Sequence, residues 1–210
     1  MELANKKKER MNYMSYMIVV KTKQNIIIAS DSYSTYPNKE LKDANYKKIH
    51  CIKDNELYIA MNGLNTVIKN GELVDINTTF MDFFQDINNS NVHQAVKDYA
   101  EFLKSSCDKF FMDIRFYVIY KKTMYRVDVV HNQPVFIEFL NENDEDFQTS
   151  GEDEYLMYGL LHLKRDDLNL GGKELLEKCI GSVKDVIHLD AIRNPEGRRI
   201  VGGKVQWLVL

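Results

Sequence analysis

The sequence predicts an α+β fold, a four-layer αββα sandwich of two antiparallel sheets between two helix pairs. Three observations predict it. Apolar runs with strand spacing and segments with helical periodicity follow one another as strands, helix pair, strands, helix pair, strand. Runs of strands alternating with runs of helices are not a βαβ pattern, which points to antiparallel sheets with helices on their outer faces. A chain of 210 residues, 44% of them hydrophobic, is enough for one domain with a sizeable core.

Residues 1–14 are polar and charged, with Lys6, Lys7, Lys8 and Arg10 clustered, and read as an extension ahead of a domain over 15–210. From Ser15 the pattern changes. Tyr16–Thr22 and Ile26–Ala29 are β-branched, apolar runs around Lys23-Gln24-Asn25, a hairpin buried on most of its faces. Asp31–Asp43 is polar, and Pro37-Asn38 marks a loop. Lys48–Ile52 and Leu57–Ala60 form a second short pair, and Asn62-Gly63 is a turn signal. Residues 76–88 carry Ile76, Phe80, Phe83, Phe84 and Ile87 on one helical face; residues 91–107 carry Val92, Val96, Tyr99 and Leu103. Strands follow at Ile114–Tyr120, Met124–Val130 and Val135–Leu140, then an acidic loop at Asn141–Asp146. After Thr149-Ser150-Gly151 come helices over about Tyr155–Leu163 and Lys173–Leu189, and a last strand at Val205–Leu210. The Phe80, Phe83, Phe84 cluster and Tyr155, Tyr158 and Trp207 read as packing residues.

Charge and composition exclude several classes. The formal net charge of −3, from 28 basic and 31 acidic residues, argues against a dedicated nucleic-acid binder. Cys51, Cys107 and Cys179 are widely spaced without a CxxC pair, so they read as reduced thiols. No stretch of 18 apolar residues exists, and no apolar signal core follows the basic start. A soluble cytoplasmic protein, without membrane contact, is expected. None of the five histidines has metal-ligand spacing, so neither metal nor cofactor is expected.

The window from Ser15 to Gly63 carries the functional reading. A hairpin starts at Ser15, Asp31 lies 16 residues later, Ser34-Thr35 follows, Lys47-Lys48 open the next strand, and Gly63 ends the strand after it. Towards the other end come Thr149-Ser150-Gly151 before an aromatic-rich helix, Asp190 at the end of the next helix, and Val201-Gly202-Gly203 before the last strand. In order and spacing this resembles the proteasome β-subunit branch of the N-terminal-nucleophile (Ntn) hydrolases, together with the peptidase component of the bacterial heat-shock-locus protease and the Anbu-type relatives. The resemblance covers about residues 15–210 and is strongest over 15–63.

It implies an amide-bond hydrolase, a peptidase above all, with Ser15 as the nucleophile. It implies that Asp31 and Lys48 serve it, with Lys47 as the alternative lysine, and that Ser34 and Thr35 contact substrate. A backbone N–H at or beside Gly63 would hold the oxyanion, and Ser150 and Asp190 would orient the amine. A homo-oligomeric ring and an ATP-driven unfoldase partner are further implications. The chemistry suits these residue types. A serine hydroxyl needs a base, and at a chain terminus its own α-amine, with a pKa of about 7.7–8.0, can serve. A neighbouring lysine ammonium depresses that pKa by like-charge repulsion, and Asp31 would hold the lysine in place. Donors beside glycine stabilise the developing oxyanion. An extended peptide could add as a strand along Ser34-Thr35.

Such a nucleophile requires that nothing precede Ser15. Residues 1–14 are then a propeptide removed at Met14-Ser15, or the mark of an inactive subunit that keeps the fold, or sequence ahead of a true start at Met14. The last reading draws on Lys8-Glu9-Arg10, which purine-only codons of ribosome-binding type can encode. Two rivals to a peptidase follow: a non-peptidase amidase of the same fold, and a non-catalytic assembly subunit.

Overall fold

The computed structural model of the chain describes residues 15–35, 41–151, 153–194 and 200–210, with the backbone alone at 35, 41, 153, 154, 159 and 160. The expectations for residues 1–14 lie outside the described residues. In chain order the elements are β1 (Met17–Lys21), β2 (Ile26–Ser30), β3 (Ser34–Thr35), β4 (Leu41–Asp43), β5 (Ile49–Lys53), β6 (Leu57–Gly63), β7 (Thr66–Lys69) and β8 (Glu72–Asp75). There follow α1 (Phe80–Phe84), α2 (Val92–Phe110), β9 (Ile114–Tyr120), β10 (Thr123–Val129), β11 (Phe136–Leu140) and β12 (Asp146–Ser150). The chain closes with α3 (Asp153–His162), α4 (Gly172–Arg193) and β13 (Gln206–Val209), and 3-10 turns lie at Ile76–Thr79 and Arg165–Asn169.

One sheet has the order β12-β1-β2-β13 and the other β11-β10-β9-β6-β5; β3-β4 and β7-β8 are separate two-stranded ribbons. Neighbouring strands are antiparallel throughout. Alternation along β1 builds the layers. Met17 and Val19 face the other sheet and pack with Ala60, Tyr117, Ile119 and Met124. Tyr16, Ile18 and Val20 face α3 and α4 and pack with Tyr155, Leu175, Cys179, Val183 and Val186. The outer face of the five-stranded sheet, with Ile59, Ile114, Phe116 and Val118, is covered by α1 and α2 through Phe80, Phe84, Val96, Tyr99 and Leu103. This is the αββα sandwich expected. It explains the continuous apolar runs of β1 and β2, all ten of whose residues are buried.

Five departures from the expected elements matter most. The helix expected over 76–88 is a 3-10 turn capped by the Asp75 side chain, followed by the five-residue α1. The apolar spacing there is real, but the Asn88–Asn91 segment satisfies its own polar groups and stops the helix. Asn62-Gly63 is not a turn: β6 runs through it, pairing Asn62 with Arg115 and Gly63 with Ile114. The acidic loop gives way at Asp146 to β12, a strand beside β1 whose polar composition hides it. The β7-β8 hairpin, turning at Asn70-Gly71, was not expected from the sequence. Trp207 is 56% exposed rather than packed. It lies on the edge strand β13, where Leu208 turns to the space between the sheets and Trp207 takes the opposite face.

The densest packing surrounds Tyr99, whose ring meets Phe80, Phe83, Phe84, Phe102 and Phe116 and whose hydroxyl meets the Thr79 hydroxyl at 3.1 Å. Tyr99→Ala is expected to lower the unfolding free energy by about 3–5 kcal/mol in urea titrations, as removal of a fully buried ring does. Tyr99→Phe should cost much less, because the Thr79 hydroxyl retains the Ile76 carbonyl at 2.7 Å.

Candidate active site

The β1-β2 hairpin sets the first distance. Its register pairs Met17 with Ser30, so Asp31 arrives opposite Tyr16 and beside Ser15. The Asp31 N–H donates to the Tyr16 carbonyl at 3.2 Å. The interval of 16 residues between Ser15 and Asp31 is thus the length of two short strands and their turn. Ser15 Oγ donates to Asp31 Oδ1 at 2.8 Å, and the Tyr16 N–H donates to the same oxygen at 3.0 Å.

Lys48 enters just ahead of β5. Its Nζ donates to Asp31 Oδ1 at 2.6 Å and also to Ser15 Oγ. The Lys48 side chain is 5% exposed and that of Asp31 is 0% exposed. The Lys48 main chain is fixed at both ends: its N–H donates to Gln206 Oε1 at 3.0 Å, and its carbonyl accepts the Met61 N–H at 3.0 Å. Lys47, the other lysine of the pair, is exposed, and its carbonyl serves His50 and Asn77. The structure therefore brings Lys48, not Lys47, to Asp31.

The second Asp31 oxygen is equally engaged. Oδ2 accepts the Tyr33 N–H at 3.1 Å and the Gly202 N–H at 3.0 Å. With three donors on Oδ1 and two on Oδ2, the carboxylate is pinned in one orientation. Gly202 is needed for this: a Cβ there would stand 2.4 Å from the Tyr33 ring. Burial pushes the Lys48 ammonium below its ordinary value, and Asp31 opposes that only in part. The ammonium therefore gives up its proton more readily than an exposed lysine would.

A cleft opens over Ser15, lined by Lys48, Ser34, Tyr46, Asn62, Gly63 and Leu64. Gly63 has φ +107°, and a Cβ on it would stand 2.2 Å from the Asp113 carbonyl oxygen, so only glycine fits where β6 ends at the cleft. Ser34 accepts a hydrogen bond from Asn65 Nδ2 through its hydroxyl. Thr35 continues β3 by its backbone, paired with Leu41.

Ser150 ends β12, opposite Met17, two residues from Ser15. Its hydroxyl accepts from Asn62 Nδ2 at 2.9 Å. Sequence reasoning missed Asn62, read there as part of a turn. A polar residue at an inward position of the apolar strand LYIAMNG is the signal that could have found it. Asn62 is 2% exposed, and its Oδ1 is buried without a partner among the described residues. Such an acceptor costs about 1–3 kcal/mol if it stays unfilled.

Asp190 stands apart from this group. It is fully buried in the last turn of α4 and accepts from the Tyr155 hydroxyl and from Asn194 Nδ2 at 2.9 Å. Its Oδ2 accepts the N–H groups of Ile200 at 3.2 Å and Val201 at 3.4 Å. The sequence reading set its carboxylate on the Ser15 amine. Here it holds instead the segment that delivers the Gly202 N–H to Asp31.

No protein-family model and no curated protein matches the chain. Solved structures do. Eukaryotic HslV from Trypanosoma brucei aligns over 93% of this chain and 98% of its own, with TM-score 0.58 and 10% identity. BPH from Thiobacillus denitrificans aligns over 93% and 97%, with TM-score 0.55 and 12% identity. The fold is that of the proteasome-like Ntn hydrolases. A mutant of Anbu from Hyphomicrobium sp. strain MC1 aligns over 93% of this chain and 81% of its own, with TM-score 0.56 and 12% identity. At such identities the likeness is one of fold, and the Ntn-hydrolase frame accounts for both sheets and both helix layers.

Two outcomes follow from the ion pair set within this Ntn-hydrolase frame. Asp31→Asn replaces one acceptor oxygen by an amide donor facing N–H groups and leaves Lys48 unpaired, and should lower the unfolding free energy by about 3–5 kcal/mol. The Lys48 linkage has a definite sign. Its folded pKa lies below its unfolded value near 10.4, so the folded state carries a penalty at lower pH that is relieved as pH rises through that window. Relative to Lys48→Met, wild-type stability should therefore increase with pH across the alkaline range up to about 10.4, as read by denaturation at several pH values. A flat difference would contradict a lowered lysine.

Proposed function

We propose that this chain is an Ntn amidohydrolase that cleaves peptide bonds through an acyl-enzyme on Ser15. The observation that carries this reading is the buried contact of Ser15 Oγ with both Lys48 Nζ and Asp31 beside a small cleft. A plain structural serine has no need of a buried ion pair, which is costly to assemble.

In the proposed reaction Ser15 is the first residue. Its Oγ attacks the substrate carbonyl carbon while its α-amine takes the hydroxyl proton. The Lys48 ammonium, held by Asp31, keeps the amine pKa low and stabilises the alkoxide as it forms. A backbone N–H at or beside Gly63 would donate to the developing oxyanion. The proton passes to the leaving amine, and water activated by the same α-amine then releases the acyl group. β3 supports a peptide substrate, since it pairs with β4 on one side only among the described residues. Processing follows the same logic: Ser15 Oγ attacks the Met14 carbonyl, the amide becomes an ester, and water yields a Met14 carboxylate and a free Ser15 amine. A start at Met14, with that methionine trimmed, gives the same terminus. The Ntn fold supports a homo-oligomeric ring; an ATP-driven unfoldase partner and a cytoplasmic setting belong to the same proposal. No helix among the described residues is long and apolar enough to cross a membrane.

The test is the intact mass and N-terminal sequence of the protein made from its native gene context. A chain beginning at Ser15 that gains mass from a peptide-like electrophile is the expected result, with Ser15→Ala abolishing both labelling and peptide hydrolysis. Lys48→Arg should lower kcat/KM by at least about 100-fold, since guanidinium cannot reproduce a compact ammonium in a buried site. A chain that keeps residues before Ser15 would replace the enzyme reading with that of an assembly subunit. Hydrolysis of small amides but not peptides would make it an amidase.

A further inference from the structure

Asp31 cannot serve a terminal amine. Its two oxygens already accept five donors, from Ser15 Oγ, Lys48 Nζ and three backbone N–H groups. Yet an ammonium generated at Ser15 brings three N–H donors that need acceptors. Acceptors must come from elsewhere. Asp190, assigned that role by resemblance, has its oxygens on Tyr155, Asn194, Ile200 and Val201.

Among the described residues, one buried acceptor beside Ser15 has no partner. Asn62 lines the Ser15 cleft, is 2% exposed, and has an Oδ1 without a partner. Its orientation is fixed from behind, because Nδ2 donates to Ser150 Oγ at 2.9 Å. Ser150 is itself close to Ser15. It pairs with Met17, and the next residue, Gly151, packs so closely that a Cβ there would stand 2.8 Å from the Ser15 carbonyl oxygen. By accepting from Asn62, the Ser150 hydroxyl keeps a lone pair and its own proton available towards the same space.

We propose that Asn62 is a positioning residue of the reaction, whose Oδ1, with Ser150 Oγ, accepts hydrogen bonds from the Ser15 α-amine and sets the pH at which that amine becomes a base. This rests on the Ser15 reading above and adds to it a residue that neither fold nor resemblance supplies. An acceptor stabilises the ammonium and raises the amine pKa, while Lys48 lowers it. Asn62 thus balances Lys48. The amine is oriented by a neutral oxygen, which perturbs its basicity less than a second carboxylate would.

The test is the pKa of the Ser15 α-amine, followed by the pH dependence of its acetylation by acetic anhydride and read from the mass of the N-terminal peptide. It is applied to the chain that begins at Ser15, whether self-processed or released from a fusion by a protease. The described residues of the three hydrophobic clusters belong to this chain. Asn62→Leu removes the acceptor and should lower the amine pKa. Asn62→Asp supplies an anionic acceptor and should raise it, by about one unit or more. Where the chain is active, the acid limb of kcat/KM should move in the same two directions. Opposite shifts support the proposal. Equal pKa values in Asn62→Asp and wild type, or shifts of the same sign in both variants, overturn it. Should Asn62→Leu not fold, Asn62→Ser beside Asn62→Asp makes the same comparison. Because acetylation needs no turnover, an inactive chain would sink the peptidase reading while still deciding this one.

Discussion

The buried pair of Lys48 and Asp31 is the constraint around which the rest of the structure is arranged. Withdrawing an ammonium and a carboxylate from water costs several kcal/mol per ion, and their attraction offsets this only if both are held in good geometry and their remaining sites are filled. Here that condition is met from every side. The carboxylate receives donors from the start of β1, from the segment after β2, and from the turn before β13. The lysine backbone is tied to β13 through Gln206 and to β6 through Met61. Both sheets therefore contribute to one ion pair, and the pair in turn holds their ends together.

This arrangement explains the placing of several otherwise unremarkable residues. The β1-β2 hairpin must keep its register, since a slip of one residue would turn Asp31 away from Ser15 and reverse every inward-facing side chain of two fully buried strands. Asp190 lies far along the chain from the pair yet acts on it, by gathering the Ile200 and Val201 N–H groups so that Gly202 follows in the right place. Its own burial is made tolerable by four donors. Tyr155 supplies one of them and also packs against β1, so the α3–α4 layer supports the site through a hydrogen bond as well as through apolar contact.

Much of this was legible in the sequence because it is local or periodic. The continuous apolar runs of β1 and β2 announce strands covered on both faces, and the spacing of Ser15 and Asp31 is simply the length of that hairpin. The α2 stripe from Val92 to Leu103 reads directly as a helix face and packs as one. What was not legible depends on pairing between distant segments. β12 is a strand because β1 offers it an edge, not because Asp-Phe-Gln-Thr-Ser favours extension. Trp207 is large and aromatic, but its exposure is decided by which face of an edge strand it occupies. The choice between Lys47 and Lys48 rests on strand alternation combined with the Gln206 contact, and the latter spans 158 residues. Asp190 shows the limit of motif matching: the residue is where the resemblance puts it, while its partners come from Tyr155 on α3 and from Asn194, Ile200 and Val201 after α4.

Saturation and vacancy are distributed unevenly around Ser15, and the unevenness has a physical logic. The charged groups are fully paired, so a change of protonation or an incoming ligand meets an environment that does not have to rearrange. The open valence is left instead on Asn62, a neutral amide whose unfilled oxygen carries a modest cost that a donor can recover. Leaving a charge open in the same place would cost far more and would invite collapse of the cleft around it. A site built this way stores rigidity in its ion pair and leaves, among the described residues, a neutral acceptor on Asn62 for an incoming donor. The glycine at position 63, which no other residue can replace without striking the Asp113 carbonyl, brings the end of β6 and its Asn62 to the cleft beside Ser15.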